Sequence, residues 1–174
     1  MIYFTSDLHL GHPAIIRMQN RPFVDVEEMN QTLISRYNSL VHQNDTVYIL
    51  GDICHRLLIE EANALIAQLN GKKILIAGNH DKTYDPALFQ EICDFKTASL
   101  SHRYFVLMHY PMLTWPKINN GSIHLHGHLH AGAEYNLHNR QQGIRRYDVG
   151  VDANDFRPVS VEQILAFWEG QTPA

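Results

Sequence analysis

The amino-acid sequence predicts an α/β fold, organised as one domain over residues 1–174. Two observations carry that expectation. Short apolar runs of strand length alternate with longer stretches of helical periodicity. Most of those runs also stop abruptly on Asp, Asn or His, as happens where loops leave the carboxyl ends of strands in an open α/β sheet.

Residues 2–6 form the first such run and end at Asp7. Between 26 and 41 the apolar residues Val26, Met29, Leu33, Ile34, Tyr37 and Val41 recur at helical spacing, and Asp25 followed three residues later by Glu28 makes an N-terminal capping pair. Residues 46–50 read as a second strand, ending at Gly51-Asp52. Residues 57–69 read as a helix closed by Asn70-Gly71. A third strand over 73–77 runs into Gly78-Asn79-His80-Asp81. In the second half, residues 104–108 lead into His109, 122–125 lead into a histidine cluster, 146–149 form a short strand and 159–168 a closing helix. The stretches 111–121 and 136–143 read as turns, and no repeat or linker interrupts the chain.

Composition narrows the classes of function. With 45% hydrophobic and 18% charged residues, the chain reads as a soluble globular protein. No basic segment followed by an apolar one opens the sequence, so no signal peptide is expected, and no apolar run approaches the roughly 18–20 residues that cross a bilayer. Cys54 and Cys93 fit no Cys-x-x-Cys or zinc-ribbon spacing. A cytoplasmic location without membrane attachment is the expectation. The net charge of −4 argues against a broad nucleic-acid-binding surface, although bound cations would reverse the sign locally.

Twelve histidines stand out, and five of them (His109, His124, His126, His128 and His130) fall within 22 residues. Asp7, Asp52, Asn79, His109 and His128 each follow a strand-like run, which brings them to one end of a sheet. With His9 and His130 they offer seven metal-type groups. Imidazole nitrogen suits zinc, iron and manganese, while carboxylate and amide oxygens suit harder cations. Seven groups exceed what one catalytic ion needs and suit two ions sharing a carboxylate. Such a pair, roughly 3.5–4 Å apart, clamps a phosphoryl group and supplies a nucleophilic water near neutral pH. A nearby imidazole that protonates the leaving oxygen adds roughly 10²–10⁴-fold. Any one of these residues alone would be a strand-end turn residue; the ordered set points to metal chemistry.

The blocks Asp7-Leu8-His9, Gly51-Asp52, Gly78-Asn79-His80-Asp81, His109 and Gly127-His128-Leu129-His130 resemble the signature of calcineurin-like metallophosphoesterases. The resemblance implies a four-layer α-β-β-α sandwich of two sheets flanked by helices. It also implies two divalent ions, manganese first with iron or zinc as alternatives. By the resemblance, Asp7, His9, Asp52 and His130 would hold one ion, and Asp52, Asn79, His109 and His128 the other, with Asp52 bridging. His80 would be the general acid, and Asp81 would orient and polarise it. The expected activity is hydrolysis of phosphate esters by a metal-bridging water, with a lean to phosphodiester or nucleotide-type substrates.

Further residues are candidates for shaping the pocket or backing the ligands. His12 shares the first loop, and His55 follows Asp52 by three positions. Arg21 could bring a guanidinium to a substrate phosphate. His126 shares strand parity with His128, which places it on a strand face or behind the ligands. Asp152 could accept a hydrogen bond from a metal-binding imidazole. For each of these the alternative is an ordinary loop or turn role. A rival dimetal class, the metallo-β-lactamases, needs an HxHxDH block that His126-Gly127-His128-Leu129-His130 does not complete. A non-catalytic metal-binding scaffold on the same fold is the alternative function, and retention of His80 with every ligand speaks against it.

Overall fold

Strand residues divide by parity between two apolar clusters, and that division sets the layers of the computed structural model, which describes residues 1–170. In β1 (Ile2–Thr5) Tyr3 joins one cluster and Phe4 the other. In β2 (Thr46–Ile49) Val47 and Ile49 join the first and Tyr48 the second; in β3 (Lys72–Ile76) Leu75 joins the first, Ile74 and Ile76 the second. These three strands run parallel, and β4 (Glu91–Cys93) extends the sheet in the same sense. A parallel sheet buried on both faces needs a layer on each side.

On the outer side that layer is helical. Ile15 of α1 (Pro13–Met18), Met29, Leu33 and Tyr37 of α2 (Val26–Leu40), and Ala62 and Ile66 of α3 (Ile59–Ile66) all lie in the first cluster. The capping pair expected for α2 is present: the Asp25 carboxylate accepts from the Glu28 amide at 2.8 Å, and the Glu28 carboxylate accepts from the Val24 amide at 2.6 Å.

The inner side meets a second sheet of β5 (Phe95–Leu100), β6 (Arg103–Met108), β7 (Ile123–His126) and β8 (Arg146–Asp148), in that order. Here β6, β7 and β8 are parallel and β5 is antiparallel to β6. Phe105, Leu107, Ile123 and Leu125 face the first sheet, and Phe4 stacks on Phe105 across the gap with ring centroids 5.9 Å apart. Next to β8 packs α4 (Ala133–Gln141), and β9 (Val159–Ser160), antiparallel to β1, closes the first sheet before α5 (Val161–Glu169). The architecture is the expected one of two sheets flanked by helices.

Three local expectations differ. Residues 136–143, read as a turn, begin inside α4, whose buried positions are the polar Asn136 and Asn139 rather than an apolar stripe. Asn136 accepts from the Asp148 amide at 2.7 Å and donates to the Asp148 carbonyl at 3.0 Å, so α4 is anchored by hydrogen bonds that leave no hydrophobic period to read. The closing helix starts two residues later than its apolar run, because Val159 and Ser160 are strand and the Ser160 hydroxyl caps α5. The helix α1 and the strands β4 and β5 were not expected. The last four residues of the expected domain lie outside the described ones. Among the described residues no helix is long and apolar enough to cross a membrane.

Candidate dimetal site

Main-chain pairing between β1 and β2 continues past the strand ends and builds the floor of the site. Asp7 N–H donates to the Gly51 carbonyl, His9 N–H to Asp52 and Leu10 N–H to Ile53, each at about 3 Å, so the two loops run side by side. Gly51 has φ +87°, and a Cβ there would collide with the His109 ring, so glycine alone fits. At Gly127 a Cβ would meet Ser6 Oγ and Asp7 Oδ2. That contact lets the second sheet's loop approach the first sheet's carboxylate.

Five of the seven expected ligands hold left-handed backbone: Asp7 (φ 57°), His9 (51°), Asp52 (55°), His128 (71°) and His130 (49°). Asp and His tolerate this region better than most residues, but each such position costs roughly 1–3 kcal/mol and is held by its surroundings. Asp7 is an example. It is fully buried, and its carboxylate accepts from the Ser6 hydroxyl at 2.6 Å and the His128 amide at 3.0 Å.

The side chains converge from both sheets. His9 Nε2 lies 3.5 Å from Asp52 Oδ2, and His109 Nε2 lies 3.6 Å from the same oxygen. His130 Nε2 is 3.9 Å from Asp7 Oδ1. His109 Nδ1 sits 2.7 Å from the Leu50 carbonyl, which can only accept, so Nδ1 carries the proton and Nε2 of that tautomer offers a lone pair. That lone pair faces Asn79 Oδ1 at 3.1 Å as well as Asp52. Both ring nitrogens of buried His9 lack hydrogen-bond partners among the described residues. Burial and the neighbouring His130 hold the His9 pKa down at about 2. Such a set of converging lone pairs and carboxylates fits divalent cations. The carboxylates alone press the same point. Burial and the charge of Asp7 push buried Asp148 up to about 7, and burial raises Asp7 itself.

Two expected ligand positions are braced from behind. His130 Nδ1 donates to Asp152 Oδ2 at 2.9 Å, and Asp152 is gripped through both oxygens by Arg21 at 2.8 Å. Arg21 also donates to the main-chain carbonyls of Asp7 and Leu8. The guanidinium expected near substrate is therefore buried and committed internally. Burial alone would raise Asp152, but its bonds from His130 and Arg21 prevail and hold its carboxyl below the usual range. His130 is raised in turn: burial pulls it down, but its bond to Asp152 and the charges of Asp7 and Asp152 together prevail.

His80 is exposed, and its backbone N–H donates to Asp52 Oδ1 at 2.9 Å, which fixes the ring at the rim. Asp81 does not hydrogen-bond to His80. Its oxygens accept from the amides of Asp52, Ile53 and Gly78 and from the Tyr84 hydroxyl, at 2.8–2.9 Å. Asp81 thus ties together two ligand-bearing loops. The ring against His80 is His55, edge to face at 4.3 Å, and His55 stacks on His12 at 4.0 Å. Both lie by His9, and each has an Nδ1 without a partner among the described residues. His126 turns to the outer face of β7, bonded to the Gly127 carbonyl and, through Nε2, to the Tyr135 hydroxyl at 3.2 Å. Ser6 and Tyr84 escaped the sequence reading; only Ser6, adjacent to Asp7, carried a signal.

A family model for calcineurin-like phosphoesterases matches residues 1–169. An uncharacterised protein of Methanocaldococcus jannaschii is 37% identical over 171 residues, 97% of this chain and 91% of that protein. The Gene 66 protein of Mycobacterium phage L5 is 30% identical over 182 residues, covering 87% and 86%. A crystal structure of a protein of unknown function from Aquifex aeolicus superposes with a TM-score of 0.73 at 29% identity, over 94% of this chain and 97% of that one.

Proposed function

The chain belongs to the calcineurin-like phosphoesterase family, and from that premise we propose that it hydrolyses phosphate esters, diesters or nucleotide-type esters foremost, with two bound divalent ions. The observation that carries the reading is Asp52. One carboxylate oxygen faces His9 from the first expected set and His109 from the second at nearly equal distance, which would suit a carboxylate shared by both sets. Asp7, His9, Asp52 and His130 would hold one ion, and Asp52, Asn79, His109 and His128 the other. When bound, the pair supplies a water of lowered pKa and neutralises phosphoryl oxygens. Manganese is the first choice and a cytoplasmic setting the simplest one.

The chain's own groups do the rest. His80 is held at the rim by its backbone bond to Asp52, so its ring can hand a proton to the leaving oxygen and regain one from solvent. His55 packs against that ring and limits its rotation. Exposure of Asn79 and His80 leaves room for esters that extend beyond the site.

The test reconstitutes chelator-stripped protein with manganese, iron or zinc and assays bis-p-nitrophenyl phosphate beside p-nitrophenyl phosphate. Turnover is expected with metal only and faster on the diester. Asp52→Ala should lose both ions and turnover together; a variant that still turns over the diester sinks the assignment.

A further inference from the structure

A cavity of about 210 Å³ adjoins the site, lined by Gly78, Asn79, Asp94, Met108, His109 and Tyr110. Two of these, Asn79 and His109, belong to the proposed second ligand set, so an occupant would touch the groups nearest the scissile phosphate. Tyr110 is 41% exposed, yet its ring is pinned edge to face against His109 at 5.1 Å and His128 at 4.6 Å. Asp94 is exposed where the chain crosses from β4 to β5, and its carboxylate can only accept hydrogen bonds.

The opposite flank is unlike this one. Across Asp52 from His109 lies His9, with His80 at 5.5 Å and His55 at 5.7 Å between ring centroids. A phosphodiester has one alcohol that leaves and one that stays. The group that protonates the leaving oxygen must sit on the leaving side, which assigns the histidine flank to the departing alcohol. The tyrosine flank then faces the retained one.

We propose that this cavity is a subsite for a nucleoside on the retained side of a phosphodiester. Its base stacks on Tyr110, and a hydroxyl or amino group donates to Asp94. Stacking of this kind is sequence-tolerant and worth on the order of tenfold or more in affinity per base. The inference rests on the phosphoesterase reading above.

Two diesters with one leaving group separate the questions: thymidine 5′-(p-nitrophenyl phosphate) and methyl p-nitrophenyl phosphate, assayed with the manganese-loaded protein. We expect kcat/KM to favour the thymidine ester at least tenfold, chiefly through KM. Tyr110→Leu should bring that ratio near one whatever happens to absolute rates, Tyr110→Phe should preserve it, and Asp94→Ala should reduce it several-fold. A disturbance of the adjoining imidazoles would lower both esters equally and leave the ratio intact. Equal kcat/KM in the wild-type protein overturns the subsite, as does a ratio that survives Tyr110→Leu. If neither ester is turned over, the hydrolytic reading fails, and calorimetric binding of thymidine 5′-phosphate against methyl phosphate decides the subsite by itself. Tighter nucleotide binding that Tyr110→Leu abolishes supports it; equal binding overturns it.

Discussion

Removing the Asp152 carboxylate should damage the protein twice, and the two losses can be measured apart. In the folded chain Arg21 is 4% exposed and spends two of its N–H bonds, at 2.8 Å each, on Asp152. Asp152→Ala leaves that guanidinium buried with no counter-charge, its remaining partners being the Asp7 and Leu8 carbonyls and the Met29 sulfur. Breaking a buried ion pair from one side costs roughly 3–5 kcal/mol, a large share of the 5–15 kcal/mol that holds a typical domain together. The second loss falls on His130, whose Nδ1–H has no other acceptor among the described residues. Deleting such a backing carboxylate weakens metal binding roughly 10–100-fold. Urea unfolding of metal-free protein reads the first effect, and competition against a metallochromic chelator reads the second. The double variant Arg21→Met with Asp152→Ala should recover much of the stability, since no unpaired charge remains, but none of the metal affinity. Equal urea midpoints for the single and double variants would refute the buried-charge account. Unchanged affinity in Asp152→Ala would refute the role given to His130.

Other consequences are open to simpler assays. His80→Ala should keep both ions and slow diesters with poor alkoxide leaving groups more than p-nitrophenyl esters; equal losses remove the general-acid role. His124, fully buried, donates through Nδ1 to the Val106 carbonyl and accepts the Met112 amide, and burial lowers its pKa from 6.5 to about 4. Since the folded state then binds fewer protons than the unfolded chain, stability should fall by about 3 kcal/mol as pH drops from 6.5 through 4. His124→Gln should flatten that part of a urea-midpoint profile measured against pH. Manganese at a hundredfold its dissociation constant should stabilise by about 2.7 kcal/mol per site, a shift of roughly 5–10 °C by calorimetry, which EDTA reverses.

The parts of the fold that depend on apolar period were legible in the sequence, and those built on polar anchoring were not. Parity along β1, β2 and β3 separates the two clusters as alternation requires. In α4, by contrast, Asn136 and Asn139 occupy the buried positions that Leu or Ile would advertise. The same division runs through the site. The residues expected to converge do so, because strand ends deliver them. What residue type could not disclose is direction: Arg21 and Asp81 carry the charges that phosphate chemistry uses, yet both turn inward. Arg21 grips Asp152, and Asp81 gathers three amides and a phenol. A sequence lists donors and acceptors without saying which are already spoken for.

The proposed ligands come from two separate sheets. Asp7, His9, Asp52 and Asn79 hang from the first, His109, His128 and His130 from the second, with Phe4 stacked on Phe105 in the layer between. Bound ions would therefore act as a rivet through two plates, and the side chains between the plates as its shim. Trimming that filling, far from any reacting atom, would alter how far apart the two halves of the rivet are seated. Preference among metals of different radius could then drift through apolar substitutions alone, with every ligand left in place.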